Sequence, residues 1–276
     1  MNLSETVTKY RTIVLSDIHL GTEGSKAKEV VSFLKRNSCE TLILNGDIID
    51  GWQLRKQGSW KKKHSAFFRQ ILKAIDEHNT KVYYLRGNHD DFLDQIIPFK
   101  IGKNFIIKRE LILKSGDKKF FVTHGDIFDS ITTNVKWLAY IGDIGYTFLL
   151  SINKLYNRVR KLRGLPYYSL SQVIKQKVKA AVSYISDYEE KLTDYAEARN
   201  CDGVICGHIH QPAIRNIGKF TYMNSGDWVE SLTALVEDYD CNWSLIYYEE
   251  TMHIDDDLDK LEASFADLII PEIIVK

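Results

Sequence analysis

Residues 12–19 of this chain read TIVLSDIH, a short β-branched and apolar run that ends in a serine, an aspartate and a histidine. Runs of this kind form buried strands. Asp17 and His19 would then stand where the strand ends. The arrangement recurs four more times, since strand-like residues 41–44, 81–85, 120–123 and 204–206 precede the clusters GDIID (46–50), GNHD (87–90), HGD (124–126) and GHIH (207–210).

Helical patterns separate the first three strands, at residues 26–36 and 66–78, so the chain begins in β-α-β-α-β order. This order is typical of an α/β fold with a parallel sheet. Ligands of such sheets bind outside the carboxyl ends of the strands. We therefore expect the five clusters to converge on one crevice.

The length of 276 residues fits one elaborated domain, 1–276, with room for an insertion. Residues of about 130–199 break the alternation and read as two or three helices, which we interpret as a helical insertion or lid. Beyond it, residues 219–223, 232–236 and 243–248 read as strands of a second, partly antiparallel sheet, and residues 258–268 as a terminal helix.

The balance of 37 basic and 37 acidic residues argues against a nucleic-acid-binding protein. Four cysteines without Cys-x-x-Cys spacing and no recognisable leader favour a cytoplasmic protein with reduced thiols. No apolar run approaches the ~20 residues of a membrane-spanning helix. Any contact with the inner membrane would be peripheral.

The predicted insertion permits two interpretations. Its first part, residues 135–155, is dense in large apolar side chains, and the basic residues Lys154, Arg158, Arg160, Lys161 and Arg163 overlap its end or follow it. Apolar bulk beside cations suits a lipid with an anionic head group or an anionic membrane surface. Packing against the domain, with a solvated basic face, explains the pattern equally well.

The residue types of the clusters indicate the chemistry. Aspartate, histidine and one asparagine oxygen suit a pair of borderline divalent cations, and such pairs catalyse in-line displacement at phosphorus. Ligands rich in nitrogen and lacking thiolate disfavour calcium and magnesium, which leaves manganese, iron, zinc or cobalt. Cys206 near His208 could be a soft ligand, but a small residue within a strand is the favoured reading.

The ordered motifs D-x-H, G-D-x-x-D, G-N-H-D, H-G-D and G-H-x-H resemble the calcineurin-like metallophosphoesterase superfamily across residues 11–250. Within it, SDIHLG (16–21), the predicted insertion after HGD and CGHIH (206–210) are similar to the bacterial UDP-2,3-diacylglucosamine pyrophosphohydrolases. The resemblance implies a four-layer α-β-β-α sandwich. It also implies two metal ions, with manganese first choice, and hydrolysis of a phosphoester or phosphoanhydride by hydroxide.

Metal ligands and a catalytic residue follow from the same resemblance. One metal would be held by Asp17, His19 and His210, the other by Asn88, His124 and His208, with Asp47 bridging both. His89 would face the substrate and either stabilise the transition state or protonate the leaving oxygen.

The substrate implied is a phosphorylated small molecule or lipid, with UDP-2,3-diacylglucosamine first choice. The pyrophosphohydrolases of lipid A synthesis carry arginine where this chain has His89, so a soluble phosphodiesterase or phosphatase acting on a small substrate is the alternative. A non-catalytic scaffold is disfavoured because all seven ligand positions are filled.

Several further polar residues have open roles. Asp50, Asp90 and Asp126 could orient histidines or serve as helix caps and loop carboxylates. Arg86 could bind a substrate phosphate, although an internal ion pair is favoured. The remaining histidines, His64, His78 and His253, are expected at the surface.

Overall fold

The computed structural model describes residues 7–56, 58–127, 163 and 185–249. The helices of these residues are α1 (Ala27–Arg36), α2 (Gly51–Lys56), α3 (Lys62–His78), a 3-10 helix (Asp91–Gln95) and α4 (185–197). The strands are β1 (Thr8–Leu15), β2 (Asn37–Asn45), β3 (Lys81–Leu85), β4 (Phe99–Ile101), β5 (Phe105–Lys108), β6 (Glu110–Ser115), β7 (Lys118–Thr123), β8 (Gly203–Cys206), β9 (Ala213–Ile217), β10 (Phe220–Asn224), β11 (Thr233–Glu237) and β12 (Trp243–Tyr247).

Two sheets lie at the centre of the described fold. The larger has the order β12-β11-β1-β2-β3-β5-β4, and the smaller has the order β6-β7-β8-β10-β9. Strands β1, β2, β3 and β5 are parallel neighbours, as are β7, β8 and β10, whereas the remaining pairings are antiparallel. The second sheet is thus partly antiparallel, as expected from the sequence.

Three apolar layers hold four structural layers together. Phe33 of α1 and Phe67 of α3 pack on the outer face of the larger sheet. Val14 of the larger sheet and Met223 of the smaller meet between the sheets. Leu192 of α4 packs on the outer face of the smaller sheet. The result is the α-β-β-α sandwich that the resemblance implies.

Strand β1 shows why the apolar runs are continuous rather than alternating. Ile13 and Leu15 face the helices, while Val14 faces the second sheet, and all three are buried. A strand covered on both faces needs apolar residues at every position. Burial of each such side chain contributes roughly 1.5–3 kcal/mol.

The five strands predicted before the polar clusters are confirmed, and so are the helices α1 and α3 and the later strands β10, β11 and β12. The pattern does not predict β4, β5, β6, β9 or α2. Strands β4 and β9 are short edge strands with mostly exposed residues, and α2 has six residues, so none of the three presents a long apolar period.

Most of the predicted insertion and the whole predicted terminal helix, 258–268, lie outside the described residues. Residues 185–197 are helical, as expected for the end of the insertion. The single domain and the boundaries of the insertion stay predictions.

The prediction that His64 lies at the surface is wrong. His64 is fully buried, whereas His78 is exposed as expected and His253 lies outside the described residues. Helix α3 begins at Lys62, four residues before the predicted start, and this places His64 on the same buried face as Phe67 and Ile71. The Lys61 N–H donates to His64 Nδ1 over 3.2 Å.

Burial, followed by repulsion from Lys63 and Lys61, lowers the pKa of His64 below its ordinary value. As the pH falls, the unfolded chain takes up this proton before the folded protein does, so stability is lost below the unfolded pKa of about 6.5. His64→Asn keeps an acceptor for Lys61 and removes the titration. We expect the free energy of unfolding of His64→Asn to fall less than that of the wild type between pH 7 and 5, measured by urea denaturation.

His78→Asn is the matched control, because His78 is exposed on the same helix. Equal pH dependence of His64→Asn and the wild type would contradict the expected effect.

Candidate metal centre

The five polar clusters meet where the strands of both sheets end. β1, β2 and β3 lie side by side in the larger sheet and run into Asp17, Asp47 and Asn88. β7 and β8 lie side by side in the smaller sheet and run into His124 and His208. The packing of one sheet on the other brings the two rows of side chains together, as expected from the topology.

The backbone turns sharply at these positions. Left-handed φ angles of 50–69° occur at Asp17, His19, Asp47, His208 and His210. Such angles are uncommon outside glycine and cost of order 1–3 kcal/mol each. Five strained residues at one site indicate that the direction of these side chains is obtained at a cost in local stability.

Asp47 lies at the centre of the group. Its Oδ2 is 3.3 Å from His124 Nε2, 3.9 Å from His19 Nε2 and 4.0 Å from His89 Nε2. Its Oδ1 accepts the His89 backbone N–H over 2.8 Å. A Cβ on Gly87 would collide with the same carboxylate, so only glycine permits this approach. One carboxylate oxygen therefore faces three imidazoles.

Asp17 forms the second focus. Its Oδ1 is 3.2 Å from His210 Nε2 and 4.0 Å from His124 Nε2, while its Oδ2 accepts the His208 backbone N–H over 3.0 Å. The rings of His19 and His210 are 5.7 Å apart. Asp17, His19 and His210 thus form a compact group whose ligand atoms lie within 4.8 Å of one another.

The ring of His124 is oriented by a backbone carbonyl at its Nδ1 atom. Its Nδ1 lies 2.9 Å from the carbonyl oxygen of Asn45, which leaves Nε2 directed at Asp47. A backbone carbonyl on one ring nitrogen is a common way to orient a metal-binding histidine. Gly46, with φ of 82°, allows the ring to pack where any Cβ would collide with it. The His124 and His208 rings are 5.1 Å apart.

Buried atoms without hydrogen bonds test whether metal ions fit here. Within the described part of the chain, Asp17 Oδ1, Asn88 Oδ1 and His124 Nε2 are buried and make no hydrogen bond. An unsatisfied buried polar atom is costly, and native proteins rarely keep one without a function. All three belong to residue types that bind divalent metals. The donor set fits a metal centre.

The predicted ligands are brought together in two groups. Asp17, His19 and His210 form the first, and the second contains Asp47, His124 and His208. Asn88, the seventh predicted ligand, lies between Gly87 and His89, both of which adjoin Asp47.

Asp50 lies close to two histidines and is hydrogen-bonded to one of them, His19. Its Oδ2 lies 3.2 Å from His19 Nδ1 and 3.0 Å from His89 Nδ1, and its Oδ1 accepts the Gln53 N–H at the start of α2. Both roles open to Asp50 in the sequence, orienting a histidine and capping a helix, are therefore realised together.

Asp90 is a loop carboxylate that holds the backbone near the centre. Asp90 is fully buried and accepts hydrogen bonds from the backbone of Ile48 and Ile49 and from Tyr84, so it joins the loop after β2 to the loop after β3. Burial, and then repulsion from Asp47, raise the pKa of Asp90 to about 7.

Arg86 forms the internal ion pair that the sequence favours. Its guanidinium contacts Asp126 and lies 3.1 Å from Asp94 Oδ1. Cys206 is fully buried, and burial raises the pKa of its thiol to about 12, in keeping with a strand residue rather than a ligand.

The charges of the centre are strongly coupled. Burial alone would raise the pKa of Asp17, but His124 and His210 hold it well below its ordinary value. The pKa of Asp47 falls to about 2, because His124 outweighs burial. The pKa of His124 is raised well above its ordinary value, since Asp47 and Asp17 outweigh the effect of burial. Both carboxylates are therefore ionised, and nearby positive charge is needed to stabilise them in this buried position.

Two residues near the centre escape sequence reasoning. Trp52 packs on His89 with ring centroids 4.3 Å apart and an interplanar angle of 35°, and Asp227 Oδ1 lies 4.0 Å from His210 Nδ1. Asp227 follows β10 in the way that other clusters follow their strands, which is a signal that could have found it. Trp52 lies two residues after Asp50, but nothing in the pattern assigns an aromatic residue there.

A family model described as calcineurin-like phosphoesterase matches residues 10–212. This range contains every predicted ligand and all five strand-end clusters, including GHIH (207–210). The match, the layered fold and the buried ligand cluster define a metal-dependent phosphoesterase. The chain belongs to the calcineurin-like phosphoesterase family.

Two relatives extend the comparison. A protein of Blochmanniella pennsylvanica named UDP-2,3-diacylglucosamine hydrolase is 25% identical over 213 residues, covering 74% of this chain and 81% of the relative. One of Stenotrophomonas maltophilia with the same name is 25% identical over 247 residues, covering 85% and 97%. Among solved structures, Yfce, a phosphoesterase from E. coli, matches with a TM-score of 0.40 and 14% identity, covering 86% of this chain and 99% of that chain.

Two expectations about location can be compared with the structure. Within the described ranges, no helix has both the length and the apolar character needed to cross a bilayer. All four cysteines are described, and each is a free thiol.

Asp47→Ala tests the central carboxylate. Removing the oxygen that faces three histidines is expected to lower the divalent metal bound per chain to less than about half of the wild-type amount, because Asp47 lies at the centre of the candidate ligands. Elemental analysis after loading with Mn²⁺ and gel filtration measures the loss.

Asp238→Ala is the control, since Asp238 is a carboxylate that accepts only hydrogen bonds of its own exposed turn. An unchanged metal content in Asp47→Ala would contradict the central place given to Asp47.

Proposed function

We propose that this protein hydrolyses the phosphoanhydride of a nucleotide-diphospho-lipid, with UDP-2,3-diacylglucosamine as the first-choice substrate. Membership of the phosphoesterase family and the buried cluster of aspartate, histidine and asparagine support the reaction class. The names of the relatives, which align over most of their length, support the substrate.

The proposed metal centre has two ions. Asp17, His19 and His210 would hold one, Asn88, His124 and His208 the other, and Asp47 would bind both. Manganese is the first choice, with iron, zinc or cobalt compatible with the same donors. When bound, such a pair lowers the pKa of water to near neutrality and stabilises charge on phosphoryl oxygens.

The ligand set also favours an anionic substrate. Of the seven proposed ligands only Asp17 and Asp47 are anionic, so they offset half of the charge that two divalent ions carry. Neutral histidines and Asn88 hold metal without further reducing that positive charge. A phosphoryl group is therefore attracted to the centre.

His89 is the proposed catalytic residue. Its side chain is 14% exposed, its Nδ1 adjoins Asp50, and its Nε2 is directed toward the space beside Asp47. A ring held in this way presents one nitrogen to a bound phosphoryl group. His89 would donate there to a phosphoryl oxygen or to the leaving oxygen, which carries negative charge in the transition state.

His89→Ala is expected to lower kcat by ~10²–10⁴-fold, the usual contribution of a positioned acid or hydrogen-bond donor. Both metal ions should stay bound, since none of the seven proposed ligands changes. Steady-state kinetics and elemental analysis of the same preparation provide the two readouts. Unchanged turnover would remove the proposed role of His89.

A second candidate function is a soluble phosphodiesterase or phosphatase with a small substrate. The observation that favours it is His89 itself, because the lipid A pyrophosphohydrolases that the chain resembles carry arginine at this position. The two functions share the metal centre and differ in what the rest of the protein binds.

A substrate comparison separates the two. Metal-loaded protein is incubated with UDP-2,3-diacylglucosamine in detergent and with bis(para-nitrophenyl) phosphate, and the products are identified by mass spectrometry. We expect release of UMP and the lipid monophosphate, with kcat/KM at least ~10²-fold above that of the diester, since remote binding energy raises turnover. Hydrolysis of the diester alone would overturn the lipid proposal.

The proposed setting is the cytoplasmic side of the inner membrane, with peripheral contact. The apolar residues 135–155 and the basic residues near their end support this part of the proposal from sequence alone. They belong to the proposed single domain, 1–276, as part of its insertion at about 130–199.

A further inference from the structure

Asp50 lies beside one edge of the His89 ring. Its Oδ2 is 3.0 Å from His89 Nδ1 and 3.2 Å from His19 Nδ1, and of these two contacts only the one to His19 has hydrogen-bond geometry. The contact to Asp50 therefore does not by itself fix the plane of the His89 ring. A donor that must meet a phosphoryl oxygen needs a fixed direction as well as a fixed position.

Two aromatic rings supply that restraint. The edge of the His19 ring meets His89 at 89°, with centroids 4.7 Å apart. Trp52 covers His89 with its indole at 4.3 Å and an interplanar angle of 35°. The close tilted contact with Trp52 and the perpendicular contact with His19 both depend on ring orientation, so together they favour one tilt of the imidazole.

Trp52 is itself anchored to the loop that carries His89. Its Nε1 donates to Asp91 Oδ2 over 3.2 Å, and Arg55 donates to both oxygens of Asp91 over 2.7 and 3.0 Å. The Gly51 N–H donates to the His89 carbonyl over 3.0 Å. Helix α2 and the residues around His89 are therefore linked at three points, and one of them, the hydrogen bond to Asp91, holds the indole itself.

We propose that Trp52 is a positioning residue for the reaction, which holds the imidazole of His89 in the orientation that meets the phosphoryl group. The inference rests on the proposed function of His89. Trp52 acts through His89 and need not contact the substrate. Trp52 is also 41% exposed, so a place in the apolar core does not explain its contact with His89.

The test is a double-mutant cycle on the full-length, metal-loaded protein with bis(para-nitrophenyl) phosphate. Trp52→Ala is expected to lower kcat by about 10-fold with KM changed less than about twofold, because a small misplacement affects the transition state more than the ground state. Trp52→Phe keeps a stacking ring and is expected to recover most of kcat. In the His89→Ala background, Trp52→Ala is expected to cost nothing further.

Trp60→Ala is a matched control. Trp60 is 43% exposed, its Nε1 also donates to a surface side chain, Ser65, and its ring also packs on a histidine, His64. It lies in the segment before α3 rather than on the His89 loop. This variant is expected to keep the kcat and KM of the wild type. Any change that it does show measures the general effect of removing a partly exposed indole.

A second readout does not depend on turnover. The indole of Trp52 should displace the ring-proton resonances of His89 by its ring current, and these are observable by NMR in protein loaded with diamagnetic Zn²⁺. The His89 resonances are assigned as those that are absent from the spectrum of His89→Ala. We expect their displacement to be lost in Trp52→Ala and retained in Trp60→Ala.

The outcomes are distinct. Loss of kcat in Trp52→Ala that disappears in the His89→Ala background supports the inference. If Trp52→Ala lowers kcat by the same factor in the wild-type protein and in His89→Ala, or raises KM alone, the inference about Trp52 is overturned. The proposed role of His89 is unaffected by either result. Unchanged kcat in His89→Ala overturns the proposed function of His89 and the inference with it.

Discussion

The centre depends on two carboxylates that are buried and ionised. Asp17 and Asp47 are almost completely inaccessible, and both have pKa values below the ordinary value despite that burial. An isolated buried charge is very costly, so cations must lie beside it. The facing histidines partly meet that demand, and divalent ions would meet it fully. The two sheets, the sharp turns after their strands and the close approach at Gly46 and Gly87 all serve to bring these groups together.

Much of this arrangement is predictable because it follows from chain order. Parallel strands place their carboxyl ends on one edge, so polar residues such as Asp17 and His208, which are far apart in sequence, are expected to converge once each is recognised after a strand. The layers follow from the same reasoning, since strands that are apolar at every position must be covered on both faces.

His64, Trp52 and the edge strands lack such a signal. His64 is buried because α3 begins earlier than its apolar period suggests, and the lysines around it mark a solvated segment by composition alone. Trp52 belongs to a six-residue helix that is held by contacts with the next loop rather than by any pattern of its own. Edge strands such as β4 expose most of their residues, so their sequences show no pattern of apolar residues that would predict a strand.

The left-handed turns at the strand ends have an evolutionary consequence. Each of the five non-glycine residues in that conformation carries a conformational penalty that a glycine would relieve. Replacing one of these residues by glycine would therefore relieve backbone strain and at the same time remove a side chain of the centre. Selection for activity and selection for stability then act in opposite directions at these five positions.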